Sequence, residues 1–179
     1  MSMLERWRQR SRNRERNREI VDDLYAGIVE TSRRPMLFVE AGLPDTVMGR
    51  FESLSISVFL VLARCGEDPE LKPLAQDLVD RFMLDVEDSI RELGIGDVSV
   101  PKRMRKLAGM FYERVGAYDA PLAVGDREAL ALGLQRFALA DAPAGTDAAP
   151  LAADLIARHA AYRRLPSAAI LRGRLDEES

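Results

Sequence analysis

Apolar residues recur along most of this chain at intervals of three and four, the period of a helix with one buried face. From Glu19 to Ser32 the stripe is Ile20, Leu24, Ile28 and Thr31. Pro35 ends it, because the residue before a proline is pushed out of the α region. Residues 36–44, MLFVEAGLP, read as a connector punctuated by Gly42 and Pro44. Asp45 is placed to cap a second helix that runs to about Cys65. Val47, Phe51, Leu54, Val58 and Leu62 share one face of it, and Ile56, Phe59 and Leu60 carry the apolar surface around much of the circumference. That segment is therefore expected to be the central, most buried helix.

A third helix is expected from near Asp68, with Pro69 in its first turn. Its stripe is Leu71, Leu74, Leu78, Phe82, Val86, Ile90 and Leu93, and Gly94 and Gly96 stop it. Ser99 can cap a fourth helix with Pro101 just inside, a buried stripe of Met104, Leu107, Phe111, Val115 and Tyr118, and Pro121 at its close. A fifth runs from about Asp126 to Ala140. The small-residue loop DAPAGTDAAP leads to a sixth over Leu151–Arg164, and the tail holds one more short turn. No stretch alternates like a strand and no period repeats. The fold class is all-α: a single-domain bundle of about six helices over residues 19–165, with a basic N-terminal arm (1–18) and a C-terminal tail (166–179).

Composition narrows the function classes. At 179 residues and 47% hydrophobic, the chain suits one globular domain. One Cys and one His exclude an internal disulfide framework and argue against structural zinc, so no cofactor or metal is expected. Cys65 reads as a small buried hydrophobe, and His159, beside small alanines, as a surface or boundary residue. Asp85, Asp88 and Glu92 share a helix face, but no Glu-x-x-His partner exists for a di-metal site, so they read as a solvated acidic face. No glycine-rich phosphate loop is present. No secretory signal is visible, and the longest apolar run, Val58–Ala63, is far short of the ~20 residues that span a bilayer. The expected location is the cytoplasm, with peripheral contact at the inner face of the cell membrane as an extension of that reading.

The net charge of −3 conceals blocks of opposite sign. Seven arginines fall on alternate positions from Arg6 to Arg18, around Trp7. Trp7, Arg8, Arg10, Arg12 and Arg14 are candidates for an anionic surface, rRNA or lipid, since guanidinium groups bind phosphate and the indole suits stacking or a membrane interface. An inert solvated tail is the alternative. Residues 67–93 carry nine acids against three basic residues. The stretch VPKRMRK then sets Lys102, Arg103, Arg105 and Lys106 at a helix start, where the macrodipole disfavours positive charge. Pairing with the acidic face of the third helix is the first expectation, and an external acid or phosphate the alternative. Met36, Leu37, Phe38 and Val39, apolar in a connector, are either an adaptable contact surface or a cap on the core.

One ordered series carries a family resemblance. Pro44-Asp45-Thr46 and Gly49-Arg50-Phe51-Glu52 lead into an apolar helix ending VFLVLAR. Leu93-Gly94-Ile95-Gly96-Asp97, Val100-Pro101-Lys102-Arg103-Met104, Phe111-Tyr112, Arg114-Val115 and Ala117-Tyr118-Asp119 follow. The series resembles the ubiquinol–cytochrome c chaperone family, assembly factors for respiratory complex III, over about Val21 to Leu122. Beyond Asp126 the likeness is one of helical character only. The resemblance implies an all-α, non-enzymatic chaperone whose client is newly made cytochrome b or another complex III subunit. It also implies a small protein partner and a ribosome contact in mitochondrial relatives, and the shorter bacterial type without a membrane anchor. The family expectation of a His in the central apolar helix falls on Ser57. Arg50, Asp97, Tyr112 and Arg114, with the basic cluster at 102–106, become candidate partner contacts. A helical RNA- or ribosome-binding module is the alternative function.

Overall fold

A computed structural model describes the backbone of residues 3–94 and 98–176, and side chains from residue 15 onward within those ranges. The helices are α1 (Met3–Ser32), α2 (Pro35–Val39), α3 (Val47–Glu67), α4 (Lys72–Glu92), α5 (Val100–Val124), α6 (Arg127–Arg136), α7 (Ala149–Arg164) and α8 (Ser167–Ile170). No strand occurs among the described residues. The six long helices are those the periodicity predicts, and the two short ones occupy the predicted connector and tail.

Helix α3 is the hub, packed against α1, α4 and α7, while α5 joins α4 to α6 and α6 leads on to α7. Its sequence explains that place: from Ser55 to Val61 every residue is buried, so the helix has no solvent face over two turns. The stripe chosen from periodicity is, apart from fully buried Val58, its less buried side, with Phe51, Leu54 and Leu62 half-buried and Val47 62% exposed. Leu24 and Ile28 of α1, Leu78 and Phe82 of α4, Phe111 and Tyr118 of α5 and Leu151 and Leu155 of α7 complete the core. Phe82 stacks on Phe51 and tilts against Phe111, with ring centroids 6.3 and 5.1 Å apart.

Several boundaries differ from expectation for local reasons. Helix α1 begins at Met3, so the basic arm is helical and continuous with the first core helix; its alternating arginines are good helix formers. Residues 36–39 are helical rather than a plain connector, because Pro35 opens a helical turn as readily as it ends one. Thr46, not Asp45, caps α3: its hydroxyl accepts from the Gly49 amide at 3.1 Å, while Asp45 turns outward to Arg50 at 2.8 Å. Helix α4 starts at Lys72 with Pro73 in its first turn, because Asp68 and Pro69 form a separate turn that closes on Leu71. Leu93 leaves the buried stripe and is 58% exposed, one residue before Gly94 takes the left-handed conformation at φ 74°. Ser99 stands at the α5 N-cap but makes no side-chain capping bond. Pro121 lies inside α5 and does not close it, and Gly125 (φ 71°) ends the helix.

Cys65 is fully buried, and burial pushes its thiol up to about 11. His159 is buried, not at the surface, and burial holds its imidazole below the ordinary value. Asp85 also departs from a plain solvated face: it accepts from the Tyr25 hydroxyl at 2.9 Å and lies 3.9 Å from Arg81.

Candidate functional site

The helix ends around α2 leave an open groove of about 910 Å³. Its floor is apolar: Val29 of α1, Phe38 of α2, Phe51 and Leu54 of α3, Val86 and Ile90 of α4, and Leu107 and Met110 of α5. Val39, Val47 and Leu93 extend that surface at the mouth, where they are 81%, 62% and 58% exposed. An apolar surface that continues from a cavity onto its rim is the mark of a protein-contacting site rather than of a closed core.

Each lining element has a local reason for its place. Gly49 lets α3 start hard against the preceding loop, since a Cβ there would lie 1.8 Å from the Pro44 carbonyl oxygen. Met48 and Phe51, either side of that contact, line the groove with Phe38 of α2. Within α5, Arg103, Lys106, Leu107 and Met110 fall at i, i+3, i+4 and i+7, so one helix face passes from basic to apolar along the groove.

Beneath the groove a buried ion pair joins α3 to α5. The Arg114 guanidinium donates to Glu52 at 2.9 Å (Nε to Oε1), 2.7 Å (Nε to Oε2) and 2.5 Å (Nη2 to Oε1), and to the Met110 carbonyl at 3.0 Å. Its carbon lies 5.2 Å from the centre of the Phe137 ring. Burial pushes the Glu52 carboxyl up, and Arg114 offsets only part of that rise. A second buried network ties the C-terminal half to the hub. Asp154 accepts from Arg158 at 2.7 Å and from Arg34, and Arg158 donates to Ser57 at 3.1 Å. Ser57, where the resemblance leads one to expect an imidazole, is thus an acceptor for a buried arginine.

The groove gathers five of the residues chosen from sequence: Phe38, Val39, Arg50, Arg103 and Lys106. Met36 instead packs half-buried against the core, and Leu37 between them is 1% exposed, so this connector both caps the core and lines the groove. Lys102 and Arg105 are exposed beside it. Tyr112 is 59% exposed with its ring edge on Phe111. Arg114 is corrected by its burial: its donors are spent on Glu52 and Met110, not on a partner surface. The expected pairing of Lys102, Arg103, Arg105 and Lys106 with the acidic face of α4 is also corrected, since none makes an ion pair among the described residues. The side chains of Trp7, Arg8, Arg10, Arg12 and Arg14, and all of Asp97, lie outside the described residues. Sequence reasoning missed Val47, Met48 and Leu93 as site residues. Only a mismatch hinted at them: apolar positions sitting at helix ends, where a core stripe runs out.

No group of three or more His, Cys, Asp or Glu that could hold a metal occurs among the described residues. No described helix is long and apolar enough to cross a membrane.

Residues 39–177 match the family described as ubiquinol-cytochrome C chaperone. The match takes in the C-terminal third, for which the residue pattern gave helical character alone. The crystal structure of the Cbp3 homolog from Brucella abortus is 40% identical, with a TM-score of 0.83 over 99% of this chain and 97% of that one. The ubiquinol-cytochrome-c reductase complex assembly factor 1 of Xenopus laevis is 28% identical over 105 residues, 58% of this chain and 52% of that protein. The chain thus spans about half the length of that relative. With most of its length inside the matched region and a likeness to a solved relative that runs almost from end to end, this chain belongs to the ubiquinol–cytochrome c chaperone family.

Proposed function

We propose that the protein is a non-enzymatic assembly chaperone for ubiquinol–cytochrome c reductase, and that it holds newly made cytochrome b, or a related subunit, by an apolar segment in the groove between α2, α3, α4 and α5. The observation that carries the reading is this open apolar groove in a chain of that family. A membrane subunit before assembly exposes long apolar segments, and a preformed apolar surface with adaptable Met48 and Met110 side chains suits many such sequences. The titratable groups at the groove are engaged structurally or exposed, an arrangement that favours holding a client over chemistry on it. The protein works in the cytoplasm or peripherally at the inner face of the cell membrane. There the arginines of the first turns of α1 touch anionic lipid or the ribosome near the emerging client, and a small protein partner completes the complex.

Deletion of the gene, with haem b difference spectra and complex III activity as readouts, tests the proposal. Loss of both, restored by the intact chain, is expected, and unchanged complex III in the deletion strain overturns it. The second reading, a ribosome- or RNA-associated module, rests on the seven arginines between Arg6 and Arg18. It predicts salt-sensitive ribosome binding that disappears when residues 1–18 are removed.

A further inference from the structure

We infer that the groove selects among apolar helices by charge: its occupant is an apolar helical segment with carboxylates at one end, and a segment flanked by Lys or Arg is disfavoured. This deepens the chaperone reading and rests on the groove being the client site. Of the charged residues that line it, Arg50 is taken by Asp45, and Asp85 by Tyr25 and Arg81. Arg33, Arg103 and Lys106 make no ion pair among the described residues, and Asp141 is the one lining acid in the same condition. The lining therefore carries a surplus of uncompensated positive charge.

That surplus is concentrated. Arg103 and Lys106 sit in the first two turns of α5, a helix of 25 residues, beside exposed Lys102 and Arg105. The first acid along α5 is Glu113. The helix N-terminus adds its own positive partial charge, so this end of the groove favours an anion over a cation. The same face continues into Leu107 and Met110, so an apolar helix lying on them brings its end to Arg103 and Lys106. A carboxylate there meets two cations and a helix N-terminus, and a lysine meets the same charges in repulsion. Membrane segments commonly carry Lys and Arg on their cytoplasmic flank. Selection by charge would confine the protein to the minority whose accessible end is acidic.

The test is fluorescence anisotropy of the full chain with two labelled amphipathic helical peptides. They share one Leu/Ile/Phe face and differ only in three Glu or three Lys at one end, each version being made at either terminus. We expect the acidic peptide to bind roughly three- to ten-fold tighter, with the gap shrinking as salt rises from about 0.05 M to about 0.5 M. The double variant Arg103→Glu/Lys106→Glu, altered only at exposed positions, should reverse the preference. Equal binding of both peptides that Leu107→Asp abolishes overturns charge selection and leaves the groove reading standing. Binding of neither peptide overturns both. Vesicles of phosphatidylglycerol bound through Arg103 and Lys106, with no discrimination between peptides, would make a lipid the occupant and overturn the proposal.

Discussion

Replacing Arg114 by Met removes one partner of an ion pair whose side chains are only 9% and 5% exposed. The Glu52 carboxylate then keeps its buried site and loses every donor that Arg114 supplies. Breaking a buried pair from one side in this way costs about 3–5 kcal/mol, a large part of the roughly 5–15 kcal/mol that holds a domain together. The double variant Glu52→Met/Arg114→Met removes both charges and fills similar volume. It should recover most of the loss, because replacing a buried pair by apolar side chains is often neutral. The single variant should also acquire a pH signature. Burial already raises the Glu52 carboxyl, and losing Arg114 raises it further. The folded state then keeps a proton that the unfolded state releases, so stability falls as pH rises from the ordinary carboxyl value of ~4.3 towards the raised one. The slope is up to about 1.4 kcal/mol per pH unit. Urea unfolding of the three proteins between pH 5 and 8, followed by helical circular dichroism, reads both effects. A loss under about 1 kcal/mol with no added pH dependence would show that the pair is solvated, and the reasoning from burial would fail.

Gly49→Ala should be severely destabilising, because its Cβ would sit 1.8 Å from the Pro44 carbonyl oxygen, whereas Gly116→Ala in open space on α5 should stabilise by about 0.5–1 kcal/mol; thermal melts of the two separate close contact from mere helix propensity. Thr46→Ala should cost about 1 kcal/mol through the lost α3 cap, and Asp45→Ala no more than about 0.5 kcal/mol because its pair with Arg50 is exposed; equal losses in denaturant titrations would return the cap to Asp45. Burial keeps the His159 imidazole below its ordinary value, so below about pH 6.5 the unfolded chain binds a proton that the folded chain resists, and stability falls as pH drops. His159→Gln should remove that slope between about pH 5 and 6.5, and an unchanged slope would place the titration elsewhere.

The six long helices were legible because each buries one stripe, and period is a local property. The hub role of α3 was legible for the same reason: a segment apolar around most of its circumference has few places to sit. Charge placement was less legible. Arg114 and Arg103 are both basic residues on one helix, yet Arg114 turns in towards Glu52, 62 positions away, and Arg103 turns out to the groove. Spacing along α5 carries no trace of the α3 carboxylate that decides between them. The groove was legible only in fragments, since its floor joins residues from Val29 to Met110 that no window contains. Phe38 and the basic cluster were singled out separately, and only the tertiary fold brings Phe38, Arg103 and Lys106 to one groove. Asp45 and Thr46 show the limit at single-residue scale. Both are good caps, and neighbouring positions in sequence do not say that Thr46 takes the Gly49 amide while Asp45 takes Arg50.

The proposed function has newly made cytochrome b held in the groove. Its most direct test is pulse-labelling in cells carrying a tagged copy of the protein, followed by isolation through the tag and measurement of labelled cytochrome b against total synthesis. The native chain is compared with Phe38→Asp/Leu107→Asp, first shown by melting to be folded. Labelled cytochrome b should accompany the native protein and be lost with the groove variant, along with haem b absorbance. Equal recovery of cytochrome b with a folded groove variant would contradict it.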